Sequence, residues 1–443
     1  GHSELRNNPI DFSLLAKTPE SDLYFEGNDK GKFNLADLAQ FSEPIAGTSY
    51  SGFLDADISL KGNKSAIDKK EYQKVQTSGT MRVTNVKYVS KDYPDPVSVP
   101  NAEMVFNPAK ITLSNVKAEY LGTHYSANGS LDNAIGYALN NEPLAGTLNV
   151  AADKIDLNAL MGTNSSKGAD TTTMTAFAVP KNINFLLNAV VDKLTYDKVD
   201  YNNLKGAILV KDETVTLKNV QTNALDGSLA LSGTYSTKLD KKKPDISLAY
   251  DVSGLDAQKT FYAFNTVQKL MPIGKFIGGK ISSQLSMKGK LGEDMMPNLA
   301  SLTGNGSLLL LEGFLRKFAP LEKLGQTLNV DQFNDIALKD IKNYFEFANG
   351  KVLVKPFKVK VKDIEMEIGG MHGFDQSMDY LLDVKLPRSM MGSKGNALVD
   401  NLAQQASSKG VPVKLSDVVD LKVKMSGTIT NPTISTDLNG AAT

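Results

Sequence analysis

The chain has no cysteine, no tryptophan, three histidines and no excess of either charge. Without cysteine there is no disulfide framework, no thiolate nucleophile and no thiolate metal site. The compartment stays open, because such a chain tolerates oxidising and reducing surroundings alike. Lys plus Arg and Asp plus Glu both number 49, so nothing makes an electrostatic footprint for nucleic acid. No apolar run approaches the ~18–20 residues that cross a bilayer as a helix. G-x-S-x-G, P-loop and H-E-x-x-H motifs are absent, and Gly304-Asn305-Gly306 lacks the third glycine and following helix of a dinucleotide loop. His124 and His372 have no evident ligand partners, and Asp55/Asp57 and Glu365/Glu367 alternate with apolar residues as on a solvated strand face. The sequence therefore reads as a non-enzyme, with no catalytic residues, metal or cofactor.

What is present is alternation. Between Asn349 and Pro387, Phe357, Val359 and Val361 alternate with Lys358, Lys360 and Lys362. Ile364, Met366 and Ile368 alternate with Glu365 and Glu367, and Leu382, Val384 and Leu386 with Asp383 and Lys385. Successive strand side chains point to opposite faces, so each run has one apolar and one charged face, and the short turns between them predict an antiparallel meander. The three lysines read as a solvated face paired with the neighbouring glutamates.

The same grammar runs along the chain. Residues 10–30 read as a strand end and turns. Strands are predicted at 52–62, 79–88, 102–106, 111–120, 125–131, 144–151, 183–191, 204–210, 215–222, 228–235, 245–252, 279–289 and 420–427. The Leu308–Leu311 run predicts a strand buried on both faces. Residues 162–175, small and polar, read as a mobile loop. Helical spacing of Phe261, Phe264, Val267 and Met271, stopped by Pro272, predicts one helix over 257–271, a lid on the sheet or a membrane-surface element. Shorter helices are expected near Leu321–Leu328 and in 389–410, the latter with Leu398, Leu402 and Ala406 on one side.

Three windows repeat: Ile111–Leu131, Val215–Tyr235 and Val352–His372. Each is strand, turn, strand, with a glycine eighteen positions after its start, at Gly129, Gly233 and Gly370. The first two share T-L-x-N-V, and a Lys-x-x-Leu linker recurs at Lys32–Leu35 and Lys154–Leu157. At 443 residues the chain exceeds one compact core, and stacked units that cannot bury their own faces fit a long repeat. The expected organisation is 1–51 as the trimmed end of an upstream module plus linker, with Gly1-His2-Ser3 resembling an expression scar. It continues with 52–161 as module 1, 176–277 as module 2 carrying helix 257–271, and 278–443 as module 3. The predicted fold is mainly β, an elongated, repeated antiparallel sheet curling into an open trough or incomplete barrel, with a few short helices.

The order of Gly304–Leu311, Glu312-Gly313, Leu321/Leu324, Phe345–Gly350, Pro356-Phe357 and Tyr380–Pro387 resembles the carboxy-terminal region of the AsmA-like family, over roughly residues 275–435. The first half shares only the strand grammar. The resemblance implies kinship with repeating β-groove, bridge-like lipid transfer proteins. It implies a periplasmic protein tethered to the inner membrane through an amino-terminal anchor and serving outer-membrane biogenesis and phospholipid traffic. It supplies no catalytic residues.

The apolar face admits two arrangements: a packed sandwich core, or an open groove for phospholipid or another acyl lipid. The groove would be lined by Ile281, Leu285, Met287, Phe345, Phe347, Val359, Val361, Met366, Ile368, Val384 and Leu386. On the groove reading Val359→Asp or Met366→Asp abolishes lipid retention and spares folding. Two other functions stay open: a scaffold assisting outer-membrane protein assembly through sheet edges, and a packed structural β protein without lipid.

Overall fold

The computed structural model describes residues 1–5, 8–38, 48–69, 71, 74–90, 93–163, 176–333, 335–408, 410 and 416–437. The protein is mainly β: 22 strands belong to one sheet that is not closed into a barrel, and the helices are few and short. Two compact units are distinguished, Gly1–Thr222 with Thr234–Pro244, and Asn223–Gly233 with Asp245–Thr443. Their divide runs inside the stretch expected as module 2.

The first unit begins with β1 (His2–Leu5), β2 (Asn8–Lys17), β3 (Tyr24–Asn34), α1 (Leu35–Leu38), β4 (Ser49–Asn63), α2 (Lys64–Asp68), β5 (Gln76–Val89) and β6 (Val97–Phe106). It continues with β7 (Lys110–Tyr120), β8 (Thr123–Asp132), α3 (Ala134–Asn140), β9 (Leu144–Asp156), α4 (Leu157–Thr163), β10 (Ile183–Tyr196) and β11 (Val199–Lys211). The hairpin β12 (Thr214–Ala224) and β13 (Gly227–Ser236) is divided between the units. Residues 10–30, expected as a strand end and turns, form most of the hairpin β2–β3, paired from Ile10↔Gly31 to Lys17↔Tyr24. The glycines and acidic residues of β3 disguise its strand character.

From β1 to β9 each strand pairs antiparallel with the next. β9 and β10 then run parallel, from Leu144↔Ile183 to Asp156↔Thr195, before β10 and β11 return to antiparallel. A parallel join needs a crossover of a dozen or more residues. Here α4 and the residues up to Ile183 supply it, and the polar stretch expected as a mobile loop falls there; beyond Thr163 it lies outside the described residues.

The second unit holds β14 (Asp245–Asp256), α5 (Ala257–Ala263), α6 (Asn265–Leu270), β15 (Ile277–Lys290), β16 (Thr303–Arg316), α7 (Ala319–Leu328) and β17 (Asp335–Ala348). β18 (Lys351–Val361), β19 (Ile364–Gly373), β20 (Ser377–Pro387), α8 (Ser393–Ser408), β21 (Val418–Thr428) and β22 (Pro432–Asp437) follow. All its ladders from β14 to β22 are antiparallel.

Three local expectations are corrected. The single helix over 257–271 is two, broken at Phe264, whose φ of −125° and ψ of 114° are extended. Aromatic, Asn, Thr and Val residues from Phe261 to Val267 hold a helix weakly. Leu308–Leu311 is not buried on both faces: Leu310 is enclosed but Leu311 is 58% exposed. Leu311 follows inward-facing Leu310 and so points to the opposite, exposed face, where a β-bulge between Ile281↔Leu310 and Gly279↔Gly313 adds Glu312 beside it. In α8 the buried seam is Gly395, Val399 and Ala403, with Leu398, Leu402 and Ala406 only half-buried beside it.

The sequence repeats acquire a physical meaning. In β5, β7 and β12, Asn85, Asn115 and Asn219 adopt positive φ of 51°, 51° and 49°. Asn115 sits where the β7–β8 register shifts between Leu113 and Val116, and asparagine tolerates this left-handed bulge conformation better than other side chains do. The asparagine of T-L-x-N-V is therefore a bulge residue. A Cβ on Gly129 would stand 2.1 Å from the Thr147 carbonyl oxygen, and one on Gly370 2.4 Å from that of Asp379, with φ of +157° and +156°. The repeated glycine lets the following strand approach. The Lys-x-x-Leu linker is a strand-to-helix junction: Asn34 Oδ1 caps α1 by accepting from the Ala36 amide at 3.0 Å. Asp156 Oδ1 does the same for the Asn158 amide at 2.9 Å.

Candidate functional site

The eleven residues expected to line a groove all lie in the second unit, and nine of them are buried; Phe345 and Ile368 are half-buried. Val359 faces Met366, Met366 faces Val384, and Val384 faces Leu421, forming one row across β18–β21. Leu285, Met287 and Phe347 pack with Leu302, Val352 and Phe374 in one cluster, with Phe345 on its margin. Ile281, Val361 and Leu386 are buried elsewhere on the unit's strands, Leu386 to 0% exposure. Leu324 of α7 and Val399 of α8 are likewise fully enclosed. These side chains are buried among one another and their neighbours.

The first unit is different. Ile10 faces Gly31, Gly31 faces Ala56, Ala56 faces Met81, and Met81 faces Met104. The row continues through Leu113, Gly129, Leu148 and Leu187 to Ile208. Ten strands thus place an apolar residue or glycine at one register position, all on one face because paired residues share a face. A parallel row runs from Ile58 through Gly79, Phe106, Ile111, Leu131, Gly146 and Phe185 to Val210. In the first row Ala56 is buried and the others are half-buried; in the second only Phe106 is buried. Helices α1–α4 span four to seven residues, whereas α7 and α8 of the second unit span 10 and 16. Among the described residues, no helix of the first unit is longer than seven residues.

Its opposite face is polar. Asn149 donates to Asn128 Oδ1 at 3.0 Å and Asn188 to Asn149 Oδ1 at 2.8 Å, while Arg82 pairs with Glu103 at 2.9 Å. Leu15 and Val105 interrupt this polar side, and at β10–β11 Leu186 faces Leu209 on it.

At one end of the strands the apolar face terminates in tyrosine. Tyr50 faces Tyr88 across β4–β5 with rings stacked 5.9 Å apart. Tyr93, in the β5–β6 connection, lies 6.4 Å from Tyr88 and meets Tyr120 edge-on at 5.8 Å. Tyr120 ends β7 on the apolar face, opposite Thr123 and two register positions beyond Ala118↔Tyr125. It is 9% exposed, and among the described residues its enclosed hydroxyl has no hydrogen-bond partner. Leaving such a group unpaired costs about 1–3 kcal/mol.

The histidines gather no metal site: among the described residues no group of His, Asp and Glu could hold one. His124 Nδ1 lies 2.7 Å from Asp153, and its side chain and amide together hold that carboxyl down at about 2. His372 Nδ1 meets the Tyr380 hydroxyl at 2.9 Å, where burial pushes the phenol's pKa up. No described helix is long and apolar enough to cross a membrane. Comparison with protein-family models, curated proteins and solved structures finds no match.

Sequence reasoning placed strands at 144–151 and 183–191 and missed their role. The signal was available in the alternation of Phe185, Leu187, Ala189 and Val191, but alanines and glycines dilute it in neighbouring strands.

Proposed function

We propose that this chain is a non-enzymatic lipid-binding protein of the cell envelope that shields acyl chains along the apolar face of its first unit. The observation that carries the reading is the partly exposed row from Ile10 to Ile208, apolar or glycine on ten consecutive strands and buried only at Ala56. A contiguous apolar surface of this kind on a folded protein marks a place that something apolar covers. Burial gains roughly 0.8 kcal/mol per methylene, so about ten methylenes laid on the face offset much of the cost of leaving a bilayer. The wall is non-directional, so a chain can slide across strands without fixed stopping points. The AsmA-like resemblance of residues 275–435 supports the same reading. It would place the protein in the periplasm, tethered to the inner membrane, moving phospholipid for outer-membrane biogenesis.

Native mass spectrometry of protein purified from cells, followed by lipid extraction, tests this. Co-purifying acyl lipid, lost in a folded Leu187→Asp protein, is expected. A clean ligand-free mass, with no uptake from added phospholipid vesicles, would overturn it.

A further inference from the structure

The tyrosine end of the first unit's apolar face carries an inference that rests on the acyl-binding reading and sharpens it. Tyr120 presents a hydroxyl shut away from water, with no partner among the described residues, at the point where the apolar rows stop. Tyr93, which packs edge-on against it, is itself 44% exposed and sits on a connection between strands, with its backbone bonded to Ser90. A cation stands nearby. Lys154 extends β9 on the same face, two register positions beyond Ala152, and its Nζ would lie 3.8 Å from a Cβ on Gly122 in the β7–β8 turn. Among the described residues it forms no ion pair.

We infer that Tyr120 and Lys154 form a polar anchor for the head of a bound acyl chain. The Tyr120 hydroxyl donates to a carbonyl or carboxylate oxygen, and the Lys154 ammonium faces the accompanying negative charge. The ligand class is thus an acyl chain ending in an oxygen acceptor with an anionic group beside it. A free fatty acid and a glycerophospholipid both present that chemistry. Chains would lie with their heads at the tyrosine end and their tails across the strands. An apolar molecule without an acceptor oxygen would use the face but not the anchor.

The test compares the full-length protein with Tyr120→Phe, which keeps the ring and its packing and removes only the hydroxyl. Three probes are titrated: N-phenylnaphthylamine, which has no acceptor oxygen, dodecanoate, and lauroyl lysophosphatidylcholine. Tyr120→Phe is expected to weaken at least one oxygen-headed probe about tenfold, the equivalent of ~1.4 kcal/mol. It should leave N-phenylnaphthylamine unchanged and the ligand-free melting temperature equal or higher. Weakening of dodecanoate alone assigns the anchor to a free carboxylate; weakening of the lysophospholipid assigns it to an ester with its phosphate. Equal affinities for every probe, or a uniform loss with a lowered melting temperature, would overturn the anchor while leaving the apolar face intact. Failure of the unmodified protein to bind any probe would overturn both. Lys154→Gln should weaken the same probe selectively, more at low than at high salt.

Discussion

Leu148 on β9 stands directly opposite Leu187 on β10, across the parallel pairing that joins the antiparallel runs on either side of it. A one-residue slip would turn every side chain of β10 to the other face and bring Leu186 or Asn188, in place of Leu187, opposite Leu148. The crossover therefore carries the face across the change of strand direction and extends it to Ile208.

Leu148→Asp places a carboxylate in the middle of this half-exposed row. It is expected to leave the protein folded, at a cost of about 1–2 kcal/mol, and to weaken N-phenylnaphthylamine binding at least tenfold. Fluorescence titration beside a urea melt checks both parts. Unchanged dye binding would argue against the face as the site.

Val384→Asp should behave in the opposite way. Val384 is 1% exposed among Met366, Leu382 and Leu421, so the new carboxylate has neither water nor a cation. The expected loss is more than about 4 kcal/mol, seen as insoluble expression or collapse of the second unit's urea transition. The same holds for Val359→Asp and Met366→Asp, which sequence reasoning expected to spare folding. A soluble, cooperatively melting Val384→Asp protein would show that this core opens.

Asn115 tests the meaning of the repeat. Asn115→Ala forces an ordinary side chain into positive φ and removes the hydrogen bond to Glu103, and should cost about 1–2 kcal/mol. Asn115→Gly should recover most of that loss. Equal stability of all three proteins in chemical denaturation would mean that the bulge is not held by this residue.

The carboxyl of Asp153 gives a pH signature. Its folded pKa lies near 2, below the ordinary carboxylate value of 3.8, through the His124 side chain first and the His124 amide second. A depressed carboxylate contributes stability above its unfolded pKa and loses it as pH falls through the folded one, so the effect belongs to the window from about 4 down to about 2. The group is exposed, and the change in stability is small. Carbon NMR titration should give a midpoint near 2, moving up in His124→Ala toward the ordinary carboxylate range while the amide bond keeps part of the shift. An unmoved midpoint would contradict the pairing.

Strand alternation was legible wherever one face was uniformly apolar, as in Val359–Val361 and Val384–Leu386, because a period of two survives any tertiary context. The open, mainly β sheet followed from it. The location of the partly exposed face was not legible. Alternation is the same whether a face is buried or partly exposed, and the difference lies in the depth of burial, 3% exposure or less at Met366, Val384 and Leu421 and intermediate along the row from Met81 to Ile208. The strongest apolar alternation marks the buried core, and the partly exposed face is written in weaker letters, with Gly31, Ala56 and Gly129 in its central row. Bulges shift parity at Asn85 and Asn115, so counting by twos from Met81 or Leu113 loses the face before it reaches Tyr88 and Tyr120.

The central claim is that the first unit's face, and not the second unit's core, holds acyl chains. Benzoylphenylalanine placed at Leu148 in one protein and at Val384 in another, irradiated in cells and analysed by mass spectrometry, tests it most directly. The account predicts an acyl-lipid adduct at position 148 and none at 384. An adduct at 384 alone, or at neither position in folded protein, would contradict it.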